Sequence, residues 1–466
     1  MFGLEADLLI LLILCLTAAC GFEFVNGFHD TANAVATVIY TNSLKPNVAV
    51  VWSGICNFFG VLAGGIAVAM GIVNLLPVEM LIDQDTYHSI AMVLALLLSA
   101  IIWNLGTWYY GLPSSSSHTL IGSILGVGIA FGFMPESTGT PVNWGKAREI
   151  GLSLLVSPLF GFSLTIFLMF LLKRLTKNDV LFKEPKKNQP PPTWIRSILI
   201  LTCTGVSFFH GSNDGQKGVG LVMLILIGII PSYFALDASL NPQAIHPNLN
   251  RIEQTIGRVD TAHLPEPEKQ LLAKISTEIT QLRDTLARDS TSGKIARESR
   301  LSVRRDILLI ANQTNKLTGS EAVNLSDADI AGLKIEIAGL RKFTDYAPRW
   351  VLFMISISLG LGTMVGWKRI VKTVGEKIGK QHLTYAQGAS AELVAASTIG
   401  LASGLGLPVS TTHVLSSGIA GSMVANKGIK NLQPQTIKSI ALAWILTLPV
   451  SITLSGLLYV FFRWLF

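Results

Sequence analysis

Eleven apolar runs of about 20 residues most constrain what this chain can fold into. A helix of about 20 apolar residues crosses the hydrocarbon core of a bilayer, where only helices and closed barrels satisfy their backbone polar groups. Charged residues make up 14% of the 466 residues, whereas soluble domains carry about 25%. We therefore predict an all-α, polytopic membrane protein. The runs lie near 5–25, 47–76, 89–110, 112–133, 150–173, 195–212, 218–236, 350–367, 385–406, 408–426 and 437–463.

Short loops indicate how the chain lies across the membrane. The loop 173–196 is rich in lysine and arginine and is expected in the cytoplasm, whereas the acidic loop near 77–88 fits the outside. Five crossings before the basic loop then put the N-terminus outside. The first run has an acidic lead-in, Glu5 and Asp7, so we expect a retained span rather than a signal peptide. The formal charge of +7 indicates how the chain is oriented in the membrane rather than nucleic-acid binding, and no nucleic-acid partner is expected.

Residues 238–348 differ from the rest because their charge density is high and mixed in sign. Apolar residues recur at helical spacing near 265–285, and two further helical patterns lie near 297–316 and 326–342. We predict a small, soluble helical insert with a peripheral regulatory or oligomer-contact role, and leave a catalytic or ligand-sensing role open. The predicted organisation is membrane repeat 1 over 1–174, a basic cytoplasmic linker over 175–194, membrane repeat 2 over 195–237 and 349–466, and the insert between.

The side of the membrane on which the insert lies is left open. Counting spans puts it in the cytoplasm, but the short basic loop 368–380 would then lie outside. Either one segment among 195–236 re-enters without crossing, or the positive-inside rule fails locally.

Two stretches place polar residues at the end of an apolar run. Residues 26–37 read N-G-F-H-D-T-A-N-A-V-A-T, and residues 208–220 read F-F-H-G-S-N-D-G-Q-K-G-V-G. An ionisable side chain at the bilayer centre costs about 2.5–3.5 kcal/mol on insertion scales, so such residues are functional candidates. We expect a helix interrupted at Asn26–Asp30, with residues 31–42 as its second half.

A second pair of stretches indicates an internal duplication. Residues 111–126 read G-L-P-S-S-S-S-H-T-L-I-G-S-I-L-G, and residues 406–421 read G-L-P-V-S-T-T-H-V-L-S-S-G-I-A-G. The first pair is offset by 184 residues and the second by 295, and the difference equals the length of 238–348. We predict two inverted repeats of about five membrane segments with broken or re-entrant helices, as in secondary transporters. A structural bundle with glycine-rich packing is the alternative.

The proline-led motifs are suited to an anion. A helix that starts after Pro113 or Pro408 points its positive dipole end and freed N–H groups at a cluster of hydroxyl groups. Two such helix starts form a cage for a tetrahedral oxyanion; alternatively, the hydroxyl groups bond within their own helices and pack closely. The candidate hydroxyl groups are those of Ser115, Ser116, Ser117, Thr119, Ser410, Thr411 and Thr412.

The acidic motifs are suited to a cation or a proton. Asp30 and Asp214, with nearby carboxamides, offer oxygen atoms for either. His29 and His210 are proton carriers or neutral hydrogen-bonding groups, and His118 and His413 are candidates for closing the cage. Glu23 is a further candidate for gating or proton relay. No metal-ligand spacing and no Walker motif are present, so an ion gradient is the expected energy source and no cofactor is assigned.

Four motifs together closely resemble the signatures of the inorganic phosphate transporter (PiT) family, most of all its bacterial low-affinity, proton-coupled branch. They are N-G-F-H-D-T-A-N-A (26–34), G-L-P-S-S-S-S-H-T (111–119), H-G-S-N-D-G-Q-K-G (210–218) and G-L-P-V-S-T-T-H (406–413). The resemblance covers the chain outside 238–348. It implies import of inorganic phosphate by a multi-pass homodimer in the bacterial inner membrane, with phosphate carried as a complex with a divalent metal such as magnesium.

The resemblance also implies roles for individual residues. Asp30, Asn33, Asn213 and Asp214 line the ion and phosphate site, and the hydroxyl groups of the two proline-led motifs hold phosphate. Sodium-coupled members tend to carry asparagine three residues after each motif aspartate, whereas this chain has Asn33 in the first half and Lys217 in the second. An ammonium group at Lys217 can take the place of a bound cation and pair with Asp214, so we expect proton coupling.

Several alternatives stay open at this point. They are a sodium-coupled phosphate symporter, a permease for another oxyanion such as sulfate or arsenate, and a phosphate-sensing channel or receptor in which the insert signals. We do not expect an enzyme, because no nucleophile–base or metal constellation is visible in the sequence.

Overall fold

The computed structural model describes residues 4–73, 75–76, 85–135, 137, 142–176, 178–186, 189–289 and 294–466, and the side chains of residues 31–33 lie outside the described part. These described stretches are helical and contain no strand, only an isolated bridge between Gly379 and Leu432. The predicted all-α fold is therefore confirmed. Most of the acidic loop near 77–88 lies outside the described residues.

The helices are numbered in chain order, and those outside the insert are given first. Five of those in the described stretches are long and apolar enough to cross a membrane, or six if Arg349–Thr363 and Lys368–Lys377, bent by 53° at their junction, count as one span. This supports a polytopic membrane protein with a broken helix. The helices are α1 (Ala6–Tyr40), α2 (Pro46–Ala63), α3 (Ala67–Val73), α4 (Thr86–Tyr109), α5 (Ser116–Phe131), α6 (Trp144–Leu175) and α7 (Thr193–Ile229), followed after the insert by α12 (Arg349–Thr363), α13 (Lys368–Lys372), α14 (Tyr385–Gly404), α15 (Thr411–Lys427) and α16 (Pro434–Leu465).

The chain divides into two compact units. One unit contains 9–77, 87–224 and 348–466, and the other contains 1–8, 78–86 and 225–347. The second unit includes four α-helices in the described part of the insert, α8 (Ile245–Ile256), α9 (Glu266–Asp289), α10 (Arg300–Thr318) and α11 (Asp327–Arg341). Their apolar faces meet in one core, to which Ile252, Ile279 and Ile307 belong. The helical patterns predicted near 265–285, 297–316 and 326–342 are thus present.

A buried arginine joins the two ends of the insert. Arg304 Nη1 donates hydrogen bonds to the carbonyl oxygen atoms of Ala235, at 3.1 Å, and Thr344, at 2.8 Å. Burial lowers the pKa of Arg304 to about 10, because the charged guanidinium loses its hydration. Backbone just before the insert and backbone near its end are therefore held together by one side chain.

The predicted interruption at Asn26–Asp30 is wrong, because α1 is continuous from Ala6 to Tyr40. The stretch contains no proline, and a single glycine does not remove a helical hydrogen bond. Gly27 instead permits close packing, since a Cβ atom at this position would collide with the carbonyl oxygen of Leu359 on α12. The polar residues project from an intact helix rather than from a break.

The two runs predicted at 195–212 and 218–236 form one helix, α7, of 37 residues. At 1.5 Å per residue it is about 55 Å long, more than enough for a single crossing. The structure therefore has one helix where two segments were counted, and this helix is not among the five candidate spans. The side of the insert and the conflict over the loop 368–380 stay open. This loop shares one face with the basic loop 173–196, because Tyr40 Oη donates to Glu376 at 2.9 Å while Asn42 Nδ2 donates to the carbonyl oxygen of Lys186 at 3.1 Å.

Positions related by the repeat offsets make matching contacts. Gly126 on α5 packs against the backbone of Ile452 on α16, and its equivalent Gly421 on α15 packs against the backbone of Phe162 on α6. A Cβ atom at either glycine would collide with a carbonyl oxygen of the facing helix. Each short, proline-led helix therefore packs on a long helix of the other half.

Candidate functional site

The short helices α5 and α15 begin in the same way. Ser115 and Ser410 are their N-cap residues, and each side-chain oxygen accepts a hydrogen bond at 3.1 Å from a backbone N–H group, of His118 and His413 respectively. Serine is among the best N-cap residues because its oxygen satisfies one of the free N–H groups of the first turn. The helices start three residues after the prolines, so the extended segments before them also line the site.

The first residue of each short helix has a free hydroxyl group. Ser116 Oγ and Thr411 Oγ1 are buried and have no hydrogen-bond partner among the described residues. The two positions are equivalent by the repeat offset of 295. Buried hydroxyl groups are normally hydrogen-bonded, so a matched pair without partners points to a group that is bound from outside the chain. Thr119 differs, because its hydroxyl donates to the carbonyl oxygen of Ser115 at 2.9 Å.

Lys217 on α7 connects the acidic motif with the first hydroxyl motif. Its Nζ lies 2.6 Å from Asp214 Oδ1 and 2.5 Å from Ser117 Oγ, and all three side chains are buried. Ser117 Oγ also donates to the carbonyl oxygen of Val409, at 2.8 Å, in the extended segment before α15. A fixed positive charge therefore lies where the two halves meet.

Asp30 on α1 lies in the corresponding arrangement. His29 Nδ1 is 2.8 Å from Asp30 Oδ1, and the hydroxyl group of Thr412 lies within hydrogen-bonding reach of the same carboxylate. His29 Nε2 is 3.1 Å from the hydroxyl oxygen of Thr107 on α4. Thr412 is the repeat equivalent of Ser117. Asp30 therefore meets a hydroxyl group from the second half, just as Lys217, the partner of Asp214, meets one from the first half.

The structure brings both acidic motifs into one cluster. Ligand atoms of Asp30, His210 and Asp214 lie within 4.8 Å of one another, and all three residues are buried. His210 Nδ1 is 2.9 Å from Asn57 Oδ1, while its Nε2 faces Asp214 Oδ2 at 3.6 Å. Neither Nε2 nor Oδ2 has a hydrogen-bond partner among the described residues. Two carboxylates and one imidazole form a donor set that can hold a divalent cation.

Two carboxamide side chains position backbone instead of facing open space. Asn213 Nδ2 donates to Ser403 Oγ and to the carbonyl oxygen of Leu407, both at 3.1 Å, so it holds the extended segment before α15. Gln216 accepts a hydrogen bond from the backbone N–H of Val68 at 2.8 Å. The side chain of Asn33 lies outside the described residues.

The two histidines of the proline-led motifs are in contact. The ring centroids of His118 and His413 are 4.5 Å apart, and the ring of His413 stacks on Trp444 at 3.8 Å. Trp444 Nε1 donates to the carbonyl oxygen of Pro113 at 2.9 Å. The three rings thus lie together beside the starts of α5 and α15, and a role of His118 and His413 in closing the cage stays a prediction.

Sequence reasoning missed Asn57, Thr107 and Trp444, which contact His210, His29 and His413. Asn57 and Thr107 lie inside apolar runs, so a search for single polar residues in predicted spans could have found them. Glu392 on α14 is a further acidic residue inside an apolar run, and it accepts hydrogen bonds from Thr202, at 2.5 Å, and from Thr37. It connects α1, α7 and α14 away from the cluster.

A buried polar site that is built twice by one repeated sequence, among helices that can cross a membrane, defines a multi-pass membrane protein of the transporter class. The Phosphate transporter family profile matches residues 26–455, and this chain belongs to that family. It is 43% identical over 497 aligned positions to the low-affinity inorganic phosphate transporter PitA of Escherichia coli (strain K12), covering 98% of this chain and 97% of that protein.

Two further similarities extend this result. The chain is 30% identical to a probable low-affinity inorganic phosphate transporter of Bacillus subtilis (strain 168), over 98% of this chain and 99% of that protein. Its fold matches a solved structure described as the sodium-dependent phosphate transporter with a TM-score of 0.56 and 20% identity, covering 98% of this chain and 100% of that one. The identification of the family from four motifs is confirmed.

Proposed function

We propose that this protein is a secondary active symporter that imports inorganic phosphate together with protons. The names of its relatives support phosphate as the substrate, and the buried cluster supports a coupled ion. The protein acts as a transporter and not as an enzyme. We further propose that it works in a bacterial inner membrane, as a homodimer of two inverted-repeat chains.

The observation that carries this proposal is the matched pair of free hydroxyl groups on Ser116 and Thr411. They lie in the first turns of α5 and α15, where each helix has about half a unit of positive charge and unpaired N–H groups. Phosphate needs several donors of this kind, but it must also leave the site. Neutral hydroxyl groups beside one ammonium group, that of Lys217, meet both requirements because they bind the anion without a surplus of fixed positive charge.

The cluster of Asp30, His210 and Asp214 is suited to a cation that travels with phosphate. Carboxylate ligands suit magnesium, and the imidazole of His210 extends the set toward softer divalent metals. In this proposal the metal is cargo, and the substrate is a metal–phosphate complex whose net charge is small. A protonated phosphate without metal is the alternative form of the same substrate.

Lys217 is the reason to favour protons over sodium. The ammonium group occupies the space beside Asp214 that a bound sodium ion would need, at 2.6 Å from the carboxylate oxygen. A fixed positive charge on the Oδ1 side of Asp214 repels a sodium ion at that place, whereas protons require no such space. Oδ2 of Asp214, which faces His210, is left for the metal that travels with phosphate. Sodium coupling remains the second candidate for the ion, and His29, His210, Asp30 and Asp214 are the titratable groups that a proton meets in the cluster.

Competition of uptake tests the choice of substrate. Labelled phosphate uptake into proteoliposomes should fall when unlabelled arsenate is added and should persist in the presence of sulfate. Magnesium should raise uptake if the metal–phosphate complex is the substrate. Sulfate that competes as well as phosphate would make the protein a general oxyanion permease. Phosphate that only flows down its gradient, at equal rates in both directions and without accumulation, would favour a channel.

A further inference from the structure

We propose that Glu23 binds and releases the proton that is transported with phosphate. This inference rests on the proton-coupled phosphate transport proposed above, and it assigns the proton to one carboxyl group outside the cation cluster. Glu23 lies on α1, seven positions before Asp30, and its side chain is fully buried. Among the described residues its hydrogen bond comes from Asn26 Nδ2, at 3.2 Å, while Oε1 has no partner.

Gly218 on α7 provides the space for this carboxyl group. A Cβ atom at position 218 would lie 2.5 Å from Glu23 Cγ and 2.6 Å from both Cδ and Oε1. Any side chain larger than hydrogen would therefore displace the carboxyl group. Glu23 packs on bare backbone next to Lys217, in a space that the chain keeps open for it.

The two repeats differ in charge at this place. By the offset of 184, Asp30 corresponds to Asp214, but Glu23 corresponds to Ser207 and Lys217 corresponds to Asn33. Ser207 is neutral and shares a hydrogen bond with Ser53 at 2.7 Å. The site thus departs from its own symmetry by one extra acid on α1 and one extra base on the facing part of α7. The base already pairs with Asp214, and among the described residues the acid has no salt-bridge partner.

Among the described residues, few charged and titratable groups interact with Glu23. Asp214 and Lys217 face it from α7, and Asp30 and Cys20 lie on α1 itself. The charges of Lys217 and Asp214 largely cancel, because their side chains are paired at 2.6 Å. An ionised Glu23 would then be a buried carboxylate without compensation, which is unfavourable unless a proton or another positive charge arrives.

This arrangement couples the proton to the anion. An ionised Glu23 would compete with Asp214 for the ammonium group of Lys217 and would repel an anion bound beside it. Protonation removes that charge, so phosphate binds together with a proton. The proton comes from water outside, forms the O–H bond of the Glu23 carboxyl group, and returns to water in the cytoplasm when phosphate has left; no electron transfer is involved.

Two transport assays on one variant test the assignment. Glu23→Gln keeps the shape of the side chain and its contact with Asn26 but cannot ionise. In proteoliposomes it should exchange external labelled phosphate for internal phosphate, with a rate that no longer depends on pH. It should fail to accumulate phosphate when an acidic exterior is imposed. Ser207→Ala, at the equivalent position of the other half, is the control and should retain both activities.

The outcomes separate this assignment from the proposed function. Accumulation at the wild-type level by Glu23→Gln would overturn the role of Glu23 while phosphate symport stands. Loss of exchange together with accumulation would also overturn it, because exchange of loaded carriers needs no release of the proton. Absence of phosphate exchange in the wild-type protein would instead overturn phosphate transport itself.

Discussion

Lys217 and Asp214 form an ion pair one helical turn apart on α7, with Nζ 2.6 Å from Oδ1 and both side chains at most 1% exposed. Burying two charges is costly, and removing one partner of such a pair leaves the other uncompensated. The pair is contacted by Ser117 from the first half, so it also connects the two repeats. The charge balance of the site therefore depends on this one contact.

Removal of the ammonium group should destabilise the protein strongly. We expect Lys217→Asn to lower the free energy of unfolding by about 3–5 kcal/mol, because Asp214 is left as an unpaired buried carboxylate. The double variant Lys217→Asn/Asp214→Asn should recover much of the stability, but it should not take up phosphate. Thermal unfolding in detergent measures the first effect. Lys146→Asn, which breaks the exposed pair with Glu149 at 2.7 Å, is the control, with a change of at most about 1 kcal/mol.

Removal of the free hydroxyl groups should weaken phosphate binding more than stability. Ser116→Ala and Thr411→Val each delete a hydrogen bond to a charged ligand, worth about 1.5–3 kcal/mol, or about 10- to 150-fold in affinity. Concentration dependence of uptake and binding calorimetry measure this change. Ser123→Ala, whose hydroxyl donates to the carbonyl oxygen of Thr119, should leave the affinity unchanged. If all three variants bind phosphate with equal affinity, the hydroxyl groups of Ser116 and Thr411 do not belong to the phosphate site.

Matched glycines should be equally intolerant of a methyl group. Gly126→Ala and Gly421→Ala each force a Cβ atom against a carbonyl oxygen of the facing helix. We expect a loss of about 1–3 kcal/mol for each, typical of overpacking. Gly151→Ala is the control, because no atom of a facing helix lies within 4 Å of its Cβ position. An unchanged melting temperature in either of the first two variants would contradict the close packing of α5 on α16 or of α15 on α6.

The shared face of the basic loops gives a labelling prediction. A cysteine at position 377 should react with a membrane-impermeant thiol reagent only from the cytoplasmic side, whereas a cysteine at position 146 should react only from outside. The first position lies in the face formed by Tyr40, Glu376 and Lys186, and the second lies at the far end of α6 from Lys173. Reaction of both positions from the same side would show that the assignment of faces is wrong.

Much of this site could be predicted from sequence because the signals are local. Polar residues in apolar runs and serines after a proline can be recognised within about ten positions, and the repeat offsets pair them. The sequence therefore predicted Asp30, Asp214 and the two hydroxyl motifs as parts of a duplicated site. The structure places them together, with matching contacts at Ser117 and Thr412.

The rest depends on contacts between residues that are distant along the chain. Polar residues at the end of an apolar run indicated a break at 26–30, although the stretch has no proline and the helix is intact. The close packing of this stretch could not be predicted, because Gly27 packs against Leu359, more than three hundred positions away. Trp444 is similarly invisible, since nothing near it in sequence indicates that its ring stacks on His413.

The pH dependence of phosphate accumulation tests the central claim most directly. Purified protein in sodium-free proteoliposomes, with magnesium and labelled phosphate outside, is given an acidic exterior. We predict that phosphate accumulates above its external concentration, that a proton-conducting uncoupler abolishes the accumulation, and that an added sodium gradient has no effect. Accumulation that requires the sodium gradient and is indifferent to the pH gradient would contradict proton coupling and the role given to Lys217.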